Sequence, residues 1–88
     1  MIATYPRATV SAPVTLAFSA VLGGPARRHR AQVENLGDTV FRLTLTLSGQ
    51  SVTRRLWPGA RYLAPCDLDS VTITPLDGDA VYQAEAGR

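Results

Sequence analysis

Eighty-eight residues with a net charge of +2 make one domain with a small core, and a balance this mild excludes a strong electrostatic footprint for nucleic acid. One cysteine and one histidine exclude an internal disulfide and a Cys/His zinc site within one chain, which leaves assembly as the support for so short a domain. No run approaches the about 20 apolar residues of a membrane helix, and Pro6 stands where a signal peptide carries its apolar stretch, so neither export nor a membrane anchor is expected.

Residues 1–13 read as an extended arm, because Pro6 and Pro13 fix φ, remove donors and push their predecessors toward extended geometry. Thr9, Val10 and Ser11 could still pair at a sheet edge. Val14–Val21 alternates, with Val14, Leu16, Phe18 and Ala20 on one face, and predicts the first strand of a domain spanning 14–88. Gly23-Gly24-Pro25 then breaks the chain.

Ala26–Asn35 reads two ways. As a strand it turns Ala31 and Val33 inward beside His29, with Arg28, Arg30, Gln32 and Glu34 outward. As a helix it has Pro25 at the first turn and Gly37 just past the end. The strand is preferred, and Asn35-Leu36-Gly37-Asp38 is a turn in either case.

Thr39–Ser48 carries the clearest pattern in the chain. Phe41, Leu43, Leu45 and Leu47 share one face and Arg42, Thr44 and Thr46 the other, as in a half-buried strand. Gly49-Gln50 suits a two-residue hairpin loop, which would set Leu47 opposite Val52 and Leu43 opposite Leu56. That register also sets Leu45 opposite Arg54, a conflict that a bulge or one extra loop residue would relieve. Trp57-Pro58-Gly59-Ala60 has proline and glycine in type II positions, and Arg61–Ala64 follows as a short strand. Asp77-Gly78 between Ser70–Leu76 and Asp79–Glu85 predicts a hairpin with Ile73 opposite Tyr82 and Val71 opposite Ala84. The expected fold is all-β: a small antiparallel sandwich or squat barrel of six to eight short strands, with an extended N-terminal arm.

Chemistry is sparse along this scaffold. Arg27-Arg28-His29-Arg30 is the densest charge cluster, a phosphate-binding candidate without the aromatic platforms that single-stranded binders need. Asp67-Leu68-Asp69 and Asp77-Gly78-Asp79 offer carboxylate pairs. Neither extends into a calcium loop, and aspartate is a turn residue in its own right. Cys66 and His29 would need the fold to join them before they could act as nucleophile and base, and no Gly-rich elbow or phosphate loop flanks either. Catalytic activity, a cofactor and a metal are therefore not expected. Arg54, Arg55, Trp57, Arg61 and Tyr62 surround one turn and form the contact patch that composition favours. Trp57 serves equally as an interface anchor or as a plug for one end of the core.

From Val33 onward the order of features resembles small β-modules in the virions of tailed bacteriophages. The resemblance lies in Val33-Glu34-Asn35-Leu36-Gly37-Asp38, in Trp57-Pro58-Gly59-Ala60-Arg61-Tyr62-Leu63, and in Leu68–Thr74 leading to Asp77-Gly78-Asp79-Ala80-Val81-Tyr82. It implies a non-enzymatic virion structural protein, a capsid decoration (cement) protein made in the host cytoplasm and held on the outer capsid. Many copies would bridge major capsid protein subunits, themselves forming a homo-oligomer such as a trimer, and gain from repeated weak contacts. The arm, with Tyr5, Arg7 and Val10, would clamp a neighbour by strand addition. The alternative is a tail, baseplate or glycan-binding β-module with Trp57, Tyr62 and Tyr82 stacking on sugars. A nucleic-acid-binding barrel with Arg27, Arg28 and Arg30 on phosphates ranks third.

Overall fold

The chain reverses on itself at Ser48-Gly49, and the remaining pairings follow from that reversal. In the computed structural model, which describes residues 1–88, the strands are β1 (Ile2–Val10), β2 (Val14–Leu16), β3 (Ala31–Asn35), β4 (Phe41–Leu47), β5 (Gln50–Leu56), β6 (Arg61–Leu63), β7 (Ser70–Pro75) and β8 (Ala80–Gly87). One short helix, α1 (Phe18–Leu22), lies between β2 and β3, and no helix is long and apolar enough to cross a membrane. β4 pairs with β5, β3 with β6, β2 with β7 and β1 with β8, all antiparallel. The chain is thus one long hairpin rolled up, closed by two further antiparallel pairings, β3 with β8 and β4 with β7. Two four-stranded sheets result, β1-β8-β3-β6 and β2-β7-β4-β5. This is the jelly-roll arrangement found in viral capsid, lectin and cupin domains.

The β4 reading holds: Phe41, Leu43 and Leu45 are buried and Arg42 is exposed. The β5 register differs from expectation. The loop is Ser48-Gly49, with φ of 46° and 81°, the left-handed pair of a type I′ turn. Asp69 Oδ2 accepts the Ser48 N–H at 3.0 Å and helps to hold Ser48 in that conformation. Leu45 then pairs with Val52, Leu43 with Arg54 and Phe41 with Leu56. The slide from expectation is an even number of residues, so every side chain keeps its face. Arg54 is tolerated opposite Leu43 because β5 is an edge strand and Arg54 reaches solvent.

Two segments form other elements than their patterns suggested. The strand expected over 14–21 ends at Leu16, and α1 starts at Phe18. Phe18 and Leu22 are buried at helical i, i+4 spacing, while Val21 is exposed. A short apolar run fits both periods, and here Gly23, left-handed at φ 75°, caps a helix. Residues 1–13, expected as an arm, contain a nine-residue strand paired with β8 from Ile2 to Val10. A register shift between Tyr5 and Ala8 accommodates Pro6, which a bulged edge strand admits. Within Ala26–Asn35 the strand reading holds for Ala31–Asn35, whereas Ala26 makes a single bridge to Leu68 and His29 sits exposed in a turn at φ 60°.

Asp77-Gly78 does not make a hairpin. β7 and β8 lie in opposite sheets, and their connection crosses between the layers. Ile73 and Tyr82 are both buried, as their alternation implied, but they come from different sheets rather than pairing as neighbours. The inner face of the first sheet is mostly small, with Ala3, Ala31, Ala80, Ala84 and Ala86 beside Val33 and the single large residue Tyr82. The second is large, with Phe41, Leu43, Leu45, Val71 and Ile73. Small against large lets the layers close to interior packing density and fills the roll with side chains. The outer face of the second sheet carries Thr15, Thr72, Thr44 and Thr53 in one row across its four strands. These are β-branched residues suited to an exposed sheet surface.

Candidate interaction site

Four loops, 11–13, 36–40, 57–60 and 76–79, meet at one end of the sandwich because four antiparallel connections return there. Asn35 holds two of them. It is the one buried polar residue, 1% exposed. Its Nδ2 donates to Thr39 O at 2.8 Å and to Leu56 O at 2.9 Å, and its Oδ1 accepts from Gly37 N at 3.0 Å. Its backbone N–H donates to Ala60 O and its carbonyl accepts from Gly59 N, both at 3.0 Å. The 36–40 and 57–60 loops are thereby fixed to each other with every Asn35 polar group satisfied.

On this frame stands Trp57, 58% exposed, followed by a turn closed by Ala60 N to Trp57 O at 3.0 Å with Gly59 at φ 80°. That is the expected type II geometry, and the exposure of Trp57 shows that it does not plug the end of the core. Leu36, 36% exposed, lies in the neighbouring loop. Neither Asn35 as a staple nor Leu36 as a surface residue was legible beforehand. The only sequence signal was an asparagine at the inward position of an alternating strand, directly before a turn.

The remaining sequence candidates do not converge on Trp57. Arg55 pairs across from Arg42 on the outer sheet face, while Arg54, one residue earlier, takes the opposite parity across from Leu43 and stays exposed on the edge strand β5. Tyr62 is half-buried in β6, and its phenol is raised above its usual value by burial, with the Arg54 guanidinium pulling the other way and Cys66 adding to the rise. Arg61 is exposed and donates Nη1 to Gln32 Oε1 at 3.3 Å. Arg7 is exposed at the β1 bulge. Tyr5 and Val10, expected at an interface, pack instead against the core. Tyr82 is buried, so a sugar-stacking surface built from Trp57, Tyr62 and Tyr82 does not assemble.

The Asp67 and Asp69 carboxylates have structural work. Asp69 accepts from Ser19 Oγ at 2.8 Å and from Ser48 N, and Asp67 accepts from Arg28 N at 2.9 Å. His29 Nε2 accepts from Arg28 Nε at 3.1 Å, so that lone pair serves an arginine rather than Cys66.

Tyr5 carries one anomaly. Its ring meets Phe18 at 5.6 Å, and its buried hydroxyl has no hydrogen-bond partner. Burial, with Tyr82 nearby, raises its phenol above the usual range. Tyr5→Phe removes only the unsatisfied oxygen and is expected to raise unfolding stability by about 1 kcal/mol, measured by urea denaturation. A clear loss would show that the hydroxyl is satisfied.

Comparison with family models, with curated proteins and with solved structures finds no match for this chain.

Proposed function

We propose that this chain is a non-catalytic docking module of a virion, a decoration protein that adds to the outer capsid of a tailed bacteriophage through its loop end. The observation that carries the reading is Trp57: a large aromatic, 58% exposed, beside a turn whose backbone is locked to Asn35. A rigid aromatic anchor loses little freedom on binding, and tryptophan is prominent among interface hot spots. The jelly roll is a scaffold that hosts many functions, and a docking role suits it. Individually weak contacts, repeated over a capsid lattice, supply the retention.

The test is co-sedimentation of the purified protein with capsids of the source phage. Saturable, near-stoichiometric binding is expected. Trp57→Ala should weaken it by about thirtyfold, the scale of a hot spot, and leave the melting temperature unchanged. Absence of saturable binding by the native protein, or native-like binding by the variant, overturns the reading.

A further inference from the structure

The end of the sandwich away from Trp57 has the opposite electrostatic character. The loops around Trp57 carry Asp38, Asp77 and Asp79, all exposed, whereas the far end gathers Arg27, Arg28, Arg30 and Arg88. Backbone bonds make this gathering. Arg27 N donates to Gly87 O and Gly87 N donates to Arg30 O, each at 2.9 Å, so the turn over residues 27–30 is stitched to the end of β8. That brings Arg88 to residues near the middle of the first half of the chain.

Arg27, Arg28 and Arg88, with Pro25 and Asp67, line an open depression of about 510 Å3. Two of the guanidiniums are oriented by acceptors other than a carboxylate. Arg88 Nη1 donates to Gly23 O at 2.6 Å and Arg28 Nε to the His29 ring at 3.1 Å. Each keeps its charge and further N–H donors. The single carboxylate at the rim, Asp67, places its Oδ1 on the Arg28 backbone N–H. Among the lining side chains, three guanidiniums against one carboxylate leave two positive charges facing the depression.

We propose that this depression binds a terminal phosphate group, as inorganic phosphate or as a monoester carried on a larger molecule. A monoester is close to a dianion at neutral pH and matches the uncompensated charge. Its oxygens suit the forked donors of arginine. A phosphodiester brings one charge per group, and no aromatic lines the depression for bases to stack on. The site is independent of capsid docking through Trp57.

Inorganic phosphate, a sugar phosphate and single-stranded DNA are titrated into the intact protein at physiological ionic strength, with arginine side-chain and Gly87 amide NMR signals as readout. Saturable shifts with inorganic phosphate are expected. Arg28→Ala should weaken binding about tenfold, the loss of one charged hydrogen bond, and Asp67→Asn should tighten it by keeping the acceptor for Arg28 N and removing the charge. Gly24→Ala supplies the sharpest control. A Cβ there would overlap the Arg88 guanidinium and move it off Gly23 O while leaving the net charge unchanged. It should weaken phosphate binding several-fold, with Trp57→Ala binding as native. Equal affinity for phosphate and sugar phosphate means that the site reads the phosphate group alone, and tighter binding of the ester means that the carrier adds contacts. Either outcome supports the site. Absence of saturable shifts, native-like binding by both Arg28→Ala and Gly24→Ala, or a preference for DNA with a steep salt dependence overturns it.

Discussion

Asn35→Ala is expected to lower the unfolding free energy by about 3–5 kcal/mol, a large part of what a domain this size holds. The substitution leaves Thr39 O and Leu56 O without the Nδ2 donor and Gly37 N without its acceptor, at a position only 1% exposed. A lower urea midpoint with an unchanged slope would register the loss. Asn35→Asp keeps the shape and separates hydrogen bonding from packing. An ionised carboxylate cannot donate to either carbonyl, and burial beside them pushes its pKa up. With the folded pKa above the unfolded value of about 3.9, the shortfall of this variant is least below that pH. It then grows as pH rises and levels off above the folded pKa. A deficit relative to the native protein that stayed constant from about pH 3.5 to 7 would contradict the buried-staple role.

Phe18→Ala is expected to cost about 3–5 kcal/mol, the usual range for truncating a fully buried phenylalanine. Phe18 is 0% exposed, begins α1 and packs its ring on Tyr5 of β1 at 57°. It therefore ties the helix and the N-terminal strand to the same core. Phe18→Leu retains most of that volume and should cost less than about 1.5 kcal/mol. Equal losses for the two variants in denaturant titrations would mean that ring volume is not what holds α1 in place.

The same two residues show how far the sequence could be read. Phe18 was legible as a core residue but not as a helical one, because Phe18 with Leu22 satisfies a helical spacing and Phe18 with Leu16 satisfies a strand spacing. Asn35 was legible as a turn neighbour. Its three side-chain bonds go to Gly37, Thr39 and Leu56, and the last of these depends on β5 returning to the same end. The Trp57 turn was legible in full because proline and glycine encode it locally, whereas the arginines and tyrosines around it were grouped by sequence proximity and parted by the strand pleat. The Arg88 contribution to the basic end was out of reach, since nothing near either segment marks that Gly87 bonds across to Arg27 and Arg30.

Alternation of apolar and polar residues is a local property, and it determined which faces of β3, β4, β7 and β8 turn inward. Pairing is not local. Backbone amides carry no side-chain label, so the pattern of Ile73 and Tyr82 is the same whether their strands lie side by side in one sheet or across the core in two. Only the rolled tertiary structure decided that choice, because the mostly alanine inner face of one sheet closes on the large inner face of the other. That closure sent the Asp77-Gly78 connection over the top of the sandwich and set Trp57 and the arginine cluster at opposite ends.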